Sequence, residues 1–359
     1  MQTTPEANTA WTAIRGFGEA FHEATRRVLP VELRGHEAPG GHSPHAVVAE
    51  RGPVKILHYA ARGEKRYKTP ILFSYSLINR YYILDFMPGR SLIEYLTGQG
   101  HTCYVIDWGV PTTSDRHKTW GDYTTGYVGF AVKTVLEREG VDNLHLYGYC
   151  MGGTLALAYT ALRPEGIRTF TAMAVPVDFH DNGMLSTWTR PPFFNVDALV
   201  DAYGNVPTWL MEGGFRFMAP LGTMTKWRDL WENREKEGFL DTWRQMERWS
   251  ADNVPFPGEL YRQYIRDCYQ KNVFCQSEMR IDGERVDLKN ITCPVLMILA
   301  QNDQIVPQPS AMALEPAVGS TDVTVVKLPT GHIGLSTSSK APKVFWPAIS
   351  KWLAEHDAV

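Results

Sequence analysis

Eleven residues, Asn143-Leu-His-Leu-Tyr-Gly-Tyr-Cys-Met-Gly-Gly153, constrain this chain more than any other segment. The apolar run Leu144–Tyr147 reads as a strand, and the Ala- and Leu-rich stretch from Gly152 to Leu162 reads as a helix. Only Gly148-Tyr149-Cys150-Met151-Gly152 joins them, so the chain must pass from strand to helix in one sharp turn. At the two flanking glycines a side chain would collide with neighbouring backbone. The pentapeptide has the form Gly-x-Ser-x-Gly of a nucleophile elbow, with cysteine in the serine position. Such a turn lifts Cys150 above a sheet edge and aims the following helix N-terminus at it, which favours the thiolate. It also places the backbone N–H of Met151 to bind an oxyanion.

The rest of the chain supplies a sheet for this turn to crown. Residues 8–29 read as a helix, with Trp11, Ile14, Phe17, Phe21, Ala24 and Val28 on one stripe, and Arg34 to Pro44 reads as a linker. Strands are expected at Val54–Tyr59, Ile71–Tyr75, Thr102–Asp107, Leu144–Tyr147 and Phe170–Val175. Helices are expected at Ser91–Gln99, Asp122–Glu139 and Gly152–Leu162. This alternation predicts an α/β-hydrolase fold, with a mostly parallel sheet covered on both faces. The alternation stops after Val175 and returns at Val295–Ala300 and Val323–Leu328, before a closing helix from Val344 to Glu355. The predicted organisation is a helix and linker over 1–45, a core over 46–179 and 289–359, and an inserted lid over 180–288. That insert carries six of the eleven tryptophans and a helical stripe of Phe239, Trp243, Met246 and Trp249. It reads as a helical layer, or more sharply as a lid whose aromatics line an apolar substrate path.

Composition excludes several classes. A formal net charge of -3 gives no electrostatic footprint for nucleic acid. No apolar run approaches the ~20 residues of a membrane-spanning helix. The polar start, MQTTPEANTA, lacks the pattern of a secretory signal. The five cysteines, Cys103, Cys150, Cys268, Cys275 and Cys293, form no CxxC pair and no zinc-ligand spacing. Free thiols fit a reducing, cytoplasmic compartment, with no metal site expected. Cys103, Cys268, Cys275 and Cys293 read as structural.

In this fold the acid and the base follow the nucleophile along the chain, on loops after later strands. Val295–Ala300 runs into Gln301-Asn-Asp-Gln-Ile-Val-Pro307, and Val323–Leu328 into Pro329-Thr-Gly-His-Ile-Gly334. Asp303 and His332 thus complete a candidate Cys–His–Asp triad. Asp178, after the strand that follows the elbow, competes for the acid role, and so does Asp107 at the end of an earlier strand, although it reads rather as a structural partner of backbone amides. A second oxyanion N–H should come from the loop Ser76–Tyr82, with Ile78 or a neighbour as donor.

A cysteine nucleophile favours exchange between thioesters, which is nearly isoenergetic and suits an acyl group delivered by coenzyme A. The chain also resembles the catalytic subunit of the short, two-component polyhydroxyalkanoate synthases. The segments that carry the resemblance run from about residue 70 onward. They are Ile78-Asn-Arg-Tyr-Tyr-Ile-Leu-Asp85, Val105-Ile-Asp-Trp-Gly109, Gly148–Gly153, Gly204-Asn-Val-Pro207, Met246-Glu-Arg-Trp249, Phe256-Pro-Gly-Glu-Leu-Tyr-Arg-Gln263, Val286-Asp-Leu288, Thr292-Cys-Pro-Val295 and Gly331-His-Ile-Gly334. The Phe256–Gln263 stretch is the most specific, since no general hydrolase motif explains it.

The resemblance implies polymerisation of 3-hydroxyacyl-CoA, such as 3-hydroxybutyryl-CoA, into a polyester, with release of CoA and no cofactor. It implies an acyl chain on Cys150, activation of thiol and hydroxyl by His332, and an Asp303 that orients His332 or assists deprotonation. It further implies a companion synthase subunit, a possible homodimer and residence on polyester granules. Gln304 follows the acid where the family usually has histidine, and Tyr149 is larger than the residue many members carry before the nucleophile. Rival readings are a Cys-dependent thioesterase or polyester depolymerase, and a non-catalytic granule protein on the same fold.

Overall fold

Cys150 directly follows the fifth strand of an eight-stranded sheet whose spatial order is β1-β2-β4-β3-β5-β6-β7-β8. The strands are β1 (Ala46–Arg51), β2 (Val54–Tyr59), β3 (Ile71–Ser74), β4 (Cys103–Asp107), β5 (Leu144–Tyr149), β6 (Ile167–Met173), β7 (Val295–Ala300) and β8 (Val323–Leu328). The structure is a computed structural model that describes residues 41–357 except 182 and 219–221; the helix expected at 8–29 lies outside the described residues.

β2 runs antiparallel to β1 and β4, and every other neighbouring pair is parallel. The parallel strands β3, β5 and β7 are buried along their whole length, as a sheet covered on both faces requires. β1, which the sequence pattern did not reveal, is a half-exposed edge strand ending in Glu50 and Arg51. Charged residues on such an edge discourage pairing with another chain.

Helices α1 (Leu92–Gly98), α2 (Gly129–Glu139) and α3 (Met151–Leu162) cover the sheet. Ser91 caps α1 by accepting the N–H of Glu94 at 2.8 Å. The helix expected over Asp122–Glu139 opens with a π-helical turn at Asp122–Val128, continues as α2 and ends at a left-handed Gly140. Val128, Val132 and Val135 join Leu155 and Ala158 of α3 in one core layer. On the other face Leu92 and Leu96 pack with Trp346, Ile349 and Leu353 of the final helix, Trp346–Glu355.

Between β6 and β7 the chain is mainly helical: Met184–Trp188, Val196–Tyr203, Thr208–Met218, Gly222–Asn233, Phe239–Ala251 and Gly258–Gln263, the last continuing as a π-helix through Gln270. Several bonds tie this segment to the loop after β3. The indole of Trp249 donates to the carbonyl of Arg80 at 2.9 Å, and the N–H of Val254 donates to that of Ile78 at 3.2 Å. Tyr82 donates its hydroxyl to Asp252 at 2.8 Å. Within the segment, Arg262 bridges Asp197 and Asp201 at 2.7 Å each. The tryptophans divide. Trp243 and Trp249 are buried, whereas Trp188, Trp227 and Trp231 are 40%, 42% and 71% exposed. These three therefore face solvent.

Candidate active site

The turn at Cys150 is as sharp as its glycines require. β5 ends at Tyr149, α3 begins at Met151, and Cys150 alone makes the turn, at φ 54° and ψ -138°. A positive φ is strained for a residue with a side chain, so the surroundings must impose it. Its N–H donates to Met173 of β6 at 3.1 Å, and its carbonyl accepts Gly153 N–H at 2.9 Å. A Cβ on Gly152 would stand 2.0 Å from the Tyr75 carbonyl oxygen, and one on Gly148 would stand 2.4 Å from the Gly153 Cα. Gly153 is equally constrained, since its Cβ would meet Val175 Cγ2 at 2.2 Å. The Ser74 hydroxyl closes this contact by donating to the Gly152 carbonyl at 2.8 Å.

His332 and Asp303 meet at the same sheet edge, on the loops after β8 and β7. Asp303 Oδ1 accepts two backbone N–H groups, from Ile305 and Val306, each at 2.9 Å. Its Oδ2 is 2.7 Å from His332 Nδ1, and both side chains are buried, 0% and 6% exposed. With Nδ1 bound to a carboxylate, Nε2 is the nitrogen left to face Cys150. Burial alone would lower the His332 pKa. The facing Cys150 sulfur is the largest opposing influence, and with the Asp303 hydrogen bond it raises the value to about 10.

The other carboxylates stand apart. Asp178 Oδ1 accepts the side-chain amide of Asn272 at 2.8 Å and the N–H of His180 at 2.9 Å. Asp107 accepts the N–H of Gly109 at 3.1 Å and faces Arg80 at 3.9 Å. Neither pairs with His332, whose carboxylate partner is Asp303.

Of the candidate oxyanion donors, Met151 is the first residue of α3, where backbone N–H groups have no partner within the helix. The N–H of Ile78 points to the Ser76 hydroxyl at 3.3 Å, a long bond that an incoming oxyanion could replace. The indole of Trp108 donates to the Tyr75 carbonyl at 2.7 Å and so fixes the start of this loop.

Three aromatic neighbours escaped the sequence reading. Phe179, Tyr264 and Tyr269 pack edge to face, with ring centroids 4.9 to 5.6 Å apart. Burial raises both phenol pKa values, and Cys150 lies within electrostatic reach of each. Tyr264 and Tyr269 are five residues apart in a π-helix, which brings i and i+5 onto one side; an α-helix would separate them.

Among the described residues, no group of three His, Cys, Asp or Glu side chains is arranged to hold a metal ion. No described helix is long and apolar enough to cross a membrane. All five cysteines are free thiols. Burial raises the thiol pKa of Cys103 and Cys268, and lifts that of Cys293 to about 11, which leaves them poor nucleophiles.

A family profile described as "alpha/beta hydrolase fold" matches residues 84–337. A second, described as "Poly-beta-hydroxybutyrate polymerase (PhaC) N-terminus", matches residues 40–96. Among solved structures, Rv0554 from Mycobacterium tuberculosis is 14% identical with a TM-score of 0.54, covering 85% of this chain and 94% of that one. A hydrolase from Pseudomonas aeruginosa PA01 is 17% identical with a TM-score of 0.51, covering 86% and 98%. At such identities the likeness speaks for the fold alone.

Sequence relatives say more. The protein called "Poly(3-hydroxyalkanoate) polymerase subunit PhaC" from Haloferax mediterranei is 40% identical over 321 residues, covering 89% of this chain but only 65% of the relative's length. Proteins of the same name from Allochromatium vinosum and Thiocystis violacea are 39% and 36% identical. These two alignments cover 80% and 88% of this chain, and 81% and 89% of the relatives. Identity of this extent, on this fold, goes well beyond shared motifs: the chain belongs to the poly(3-hydroxyalkanoate) polymerase subunit PhaC family.

Proposed function

We propose that the protein polymerises 3-hydroxyacyl-CoA, of the 3-hydroxybutyryl type, into a polyester and releases CoA. The observation that carries this reading is the line Cys150, His332, Asp303: a cysteine on a strained elbow, facing an imidazole that a buried carboxylate holds at 2.7 Å.

The geometry supports the following chemistry. His332 takes the Cys150 proton, and the thiolate attacks the thioester carbonyl. The N–H of Met151 and a donor from the loop at Ile78 stabilise the oxyanion. CoA leaves as its thiol with the proton from His332, and the acyl group remains on Cys150. His332, neutral again, takes a proton from an incoming 3-hydroxyl, which attacks the acyl-Cys; an ester forms and Cys150 is freed. No redox step occurs and no cofactor is needed. Both oxygens of Asp303 are already engaged, Oδ1 by two N–H groups and Oδ2 by His332, which favours the orienting role.

The helices between β6 and β7 serve in this reading as a lid, anchored on the loop after β3. Opening it is the natural task for a companion subunit, and a homodimer is a further arrangement it could take. A growing polyester would hold the enzyme at a granule surface. Purified protein given 3-hydroxybutyryl-CoA, with free thiol and turbidity followed together, tests the reading. Thiol release with rising turbidity supports it; thiol release in clear solution with free 3-hydroxy acid means a hydrolase and overturns it.

A further inference from the structure

Tyr149 immediately precedes the nucleophile, and its side chain does not point away from the site. The residue is 1% exposed, and its hydroxyl donates to the backbone carbonyl of His332 at 2.7 Å, across 183 positions of chain. Its ring also lies against the imidazole, centroids 5.3 Å apart, while Tyr75 packs edge-on against it at 5.1 Å. The strand that carries the nucleophile thus grips the main chain of the base directly. Asp303 holds the imidazole by a single hydrogen bond to Nδ1, about which a ring can swing.

This grip matters most when the Cys150 sulfur is acylated. In the free enzyme the sulfur faces His332 and attracts its imidazolium. Once it is bound in a thioester it carries no charge and no proton, and that restraint is gone. Yet the second half of the cycle needs the imidazole in place, to take the proton from the attacking hydroxyl as the carbon–sulfur bond breaks. We infer that Tyr149 is a positioning residue that keeps His332 aligned through the acyl-enzyme stage, an inference that rests on the proposed acyl-Cys polymerase reading.

The test separates the two halves with two substrates and the variant Tyr149→Phe, which keeps the ring and removes the hydroxyl. Butyryl-CoA lacks a 3-hydroxyl, so its CoA burst reports acylation alone; 3-hydroxybutyryl-CoA reports the whole cycle. The burst rate should stay within about threefold of wild type, while steady CoA release from 3-hydroxybutyryl-CoA should fall about tenfold or more, as small misplacements of a catalytic group do. Equal losses in both assays, or no loss in either, would overturn the inference. A second measurement needs no variant. In wild-type enzyme acylated with butyryl-CoA, NMR contacts between the Tyr149 and His332 rings should persist, and their loss would equally overturn it. If wild-type enzyme gives no burst, or Cys150→Ala still gives one, the acyl-Cys reading itself fails, and the two failures are distinguishable.

Discussion

Asn272 donates its side-chain amide to Asp178 Oδ1 at 2.8 Å, and the N–H of His180 meets the same oxygen at 2.9 Å. Asn272 in turn accepts the N–H of Phe179 at 3.0 Å, so Asp178 braces the segment that leaves β6. A carboxylate employed this way is a structural partner, although by chain order it stood as a rival for the acid.

Two substitutions separate these roles. Asp303→Asn is expected to cut the rate by about 10³–10⁴, because an amide favours the wrong imidazole tautomer. Asp178→Asn should cost stability, about 1–3 kcal/mol for hydrogen bonds to a charged group, with turnover of the folded fraction largely kept. Steady-state rates and urea midpoints for both variants decide the matter; a greater activity loss from Asp178→Asn would reassign the acid.

Cys150→Ala should abolish turnover, by about 10⁴-fold or more, and leave the fold intact. It should also move a second observable. Burial lowers the His332 pKa, and the facing sulfur is the largest influence that raises it to about 10. Without the sulfur the imidazole should titrate at lower pH, which ¹⁵N NMR of the ring would follow. An unchanged midpoint would mean that Cys150 and His332 do not face each other in solution.

Where local pattern and chain order decide, the sequence was a good guide. β7 and β8 span the residues that their apolar runs predicted, and Asp303 and His332 meet because both loops leave the same sheet edge. Three kinds of feature were not legible. β1 carries its apolar residues on an edge that is half-exposed, so no buried face imprinted a period-two pattern. The pairing of Tyr264 with Tyr269 depends on a π-helix, whose i, i+5 register a search at 3.6 residues per turn passes over. Bonds such as Trp249 to Arg80, 169 positions apart, belong to tertiary packing and leave no local trace.

The elbow glycines allow a prediction about folding. A Cβ on Gly152 would sit 2.0 Å from the Tyr75 carbonyl oxygen, a rigid backbone atom that cannot step aside. Gly152→Ala is therefore expected to destabilise by about 3 kcal/mol, at the upper end of overpacking costs. Gly213→Ala is the control, because nothing lies within 4 Å of its added Cβ. Similar unfolding midpoints for the two variants would show that the elbow is looser than described.

The opposite end of the sheet holds two histidines with no evident part in the chemistry, and they should set the acid limit of stability. His145, near the start of β5, pairs Nδ1 with the Thr169 hydroxyl at 2.8 Å, while its Nε2 is buried without a hydrogen-bond partner. His101 stacks on Tyr67 at 4.1 Å, and its Nδ1 is likewise buried and unpaired. Burial is the main cause that lowers both pKa values, to about 4 for His101 and about 3 for His145. Asp357 raises both, whereas His101, Arg168 and His356 add to the depression at His145. The sign follows from the unfolded value of about 6.5. The unfolded chain takes up these protons first, so the contribution to stability is complete above about pH 6.5. It is then lost as pH falls toward the folded values, by on the order of 1.4 kcal/mol per pH unit for each histidine. Urea unfolding at pH 7 and pH 5 should show this drop in the wild type and a shallower one in His145→Gln. The slope is the readout, since the substitution itself changes absolute stability at every pH. Equal slopes in the two proteins would mean that His145 is hydrated or already charged in the native state, and that acid sensitivity arises elsewhere.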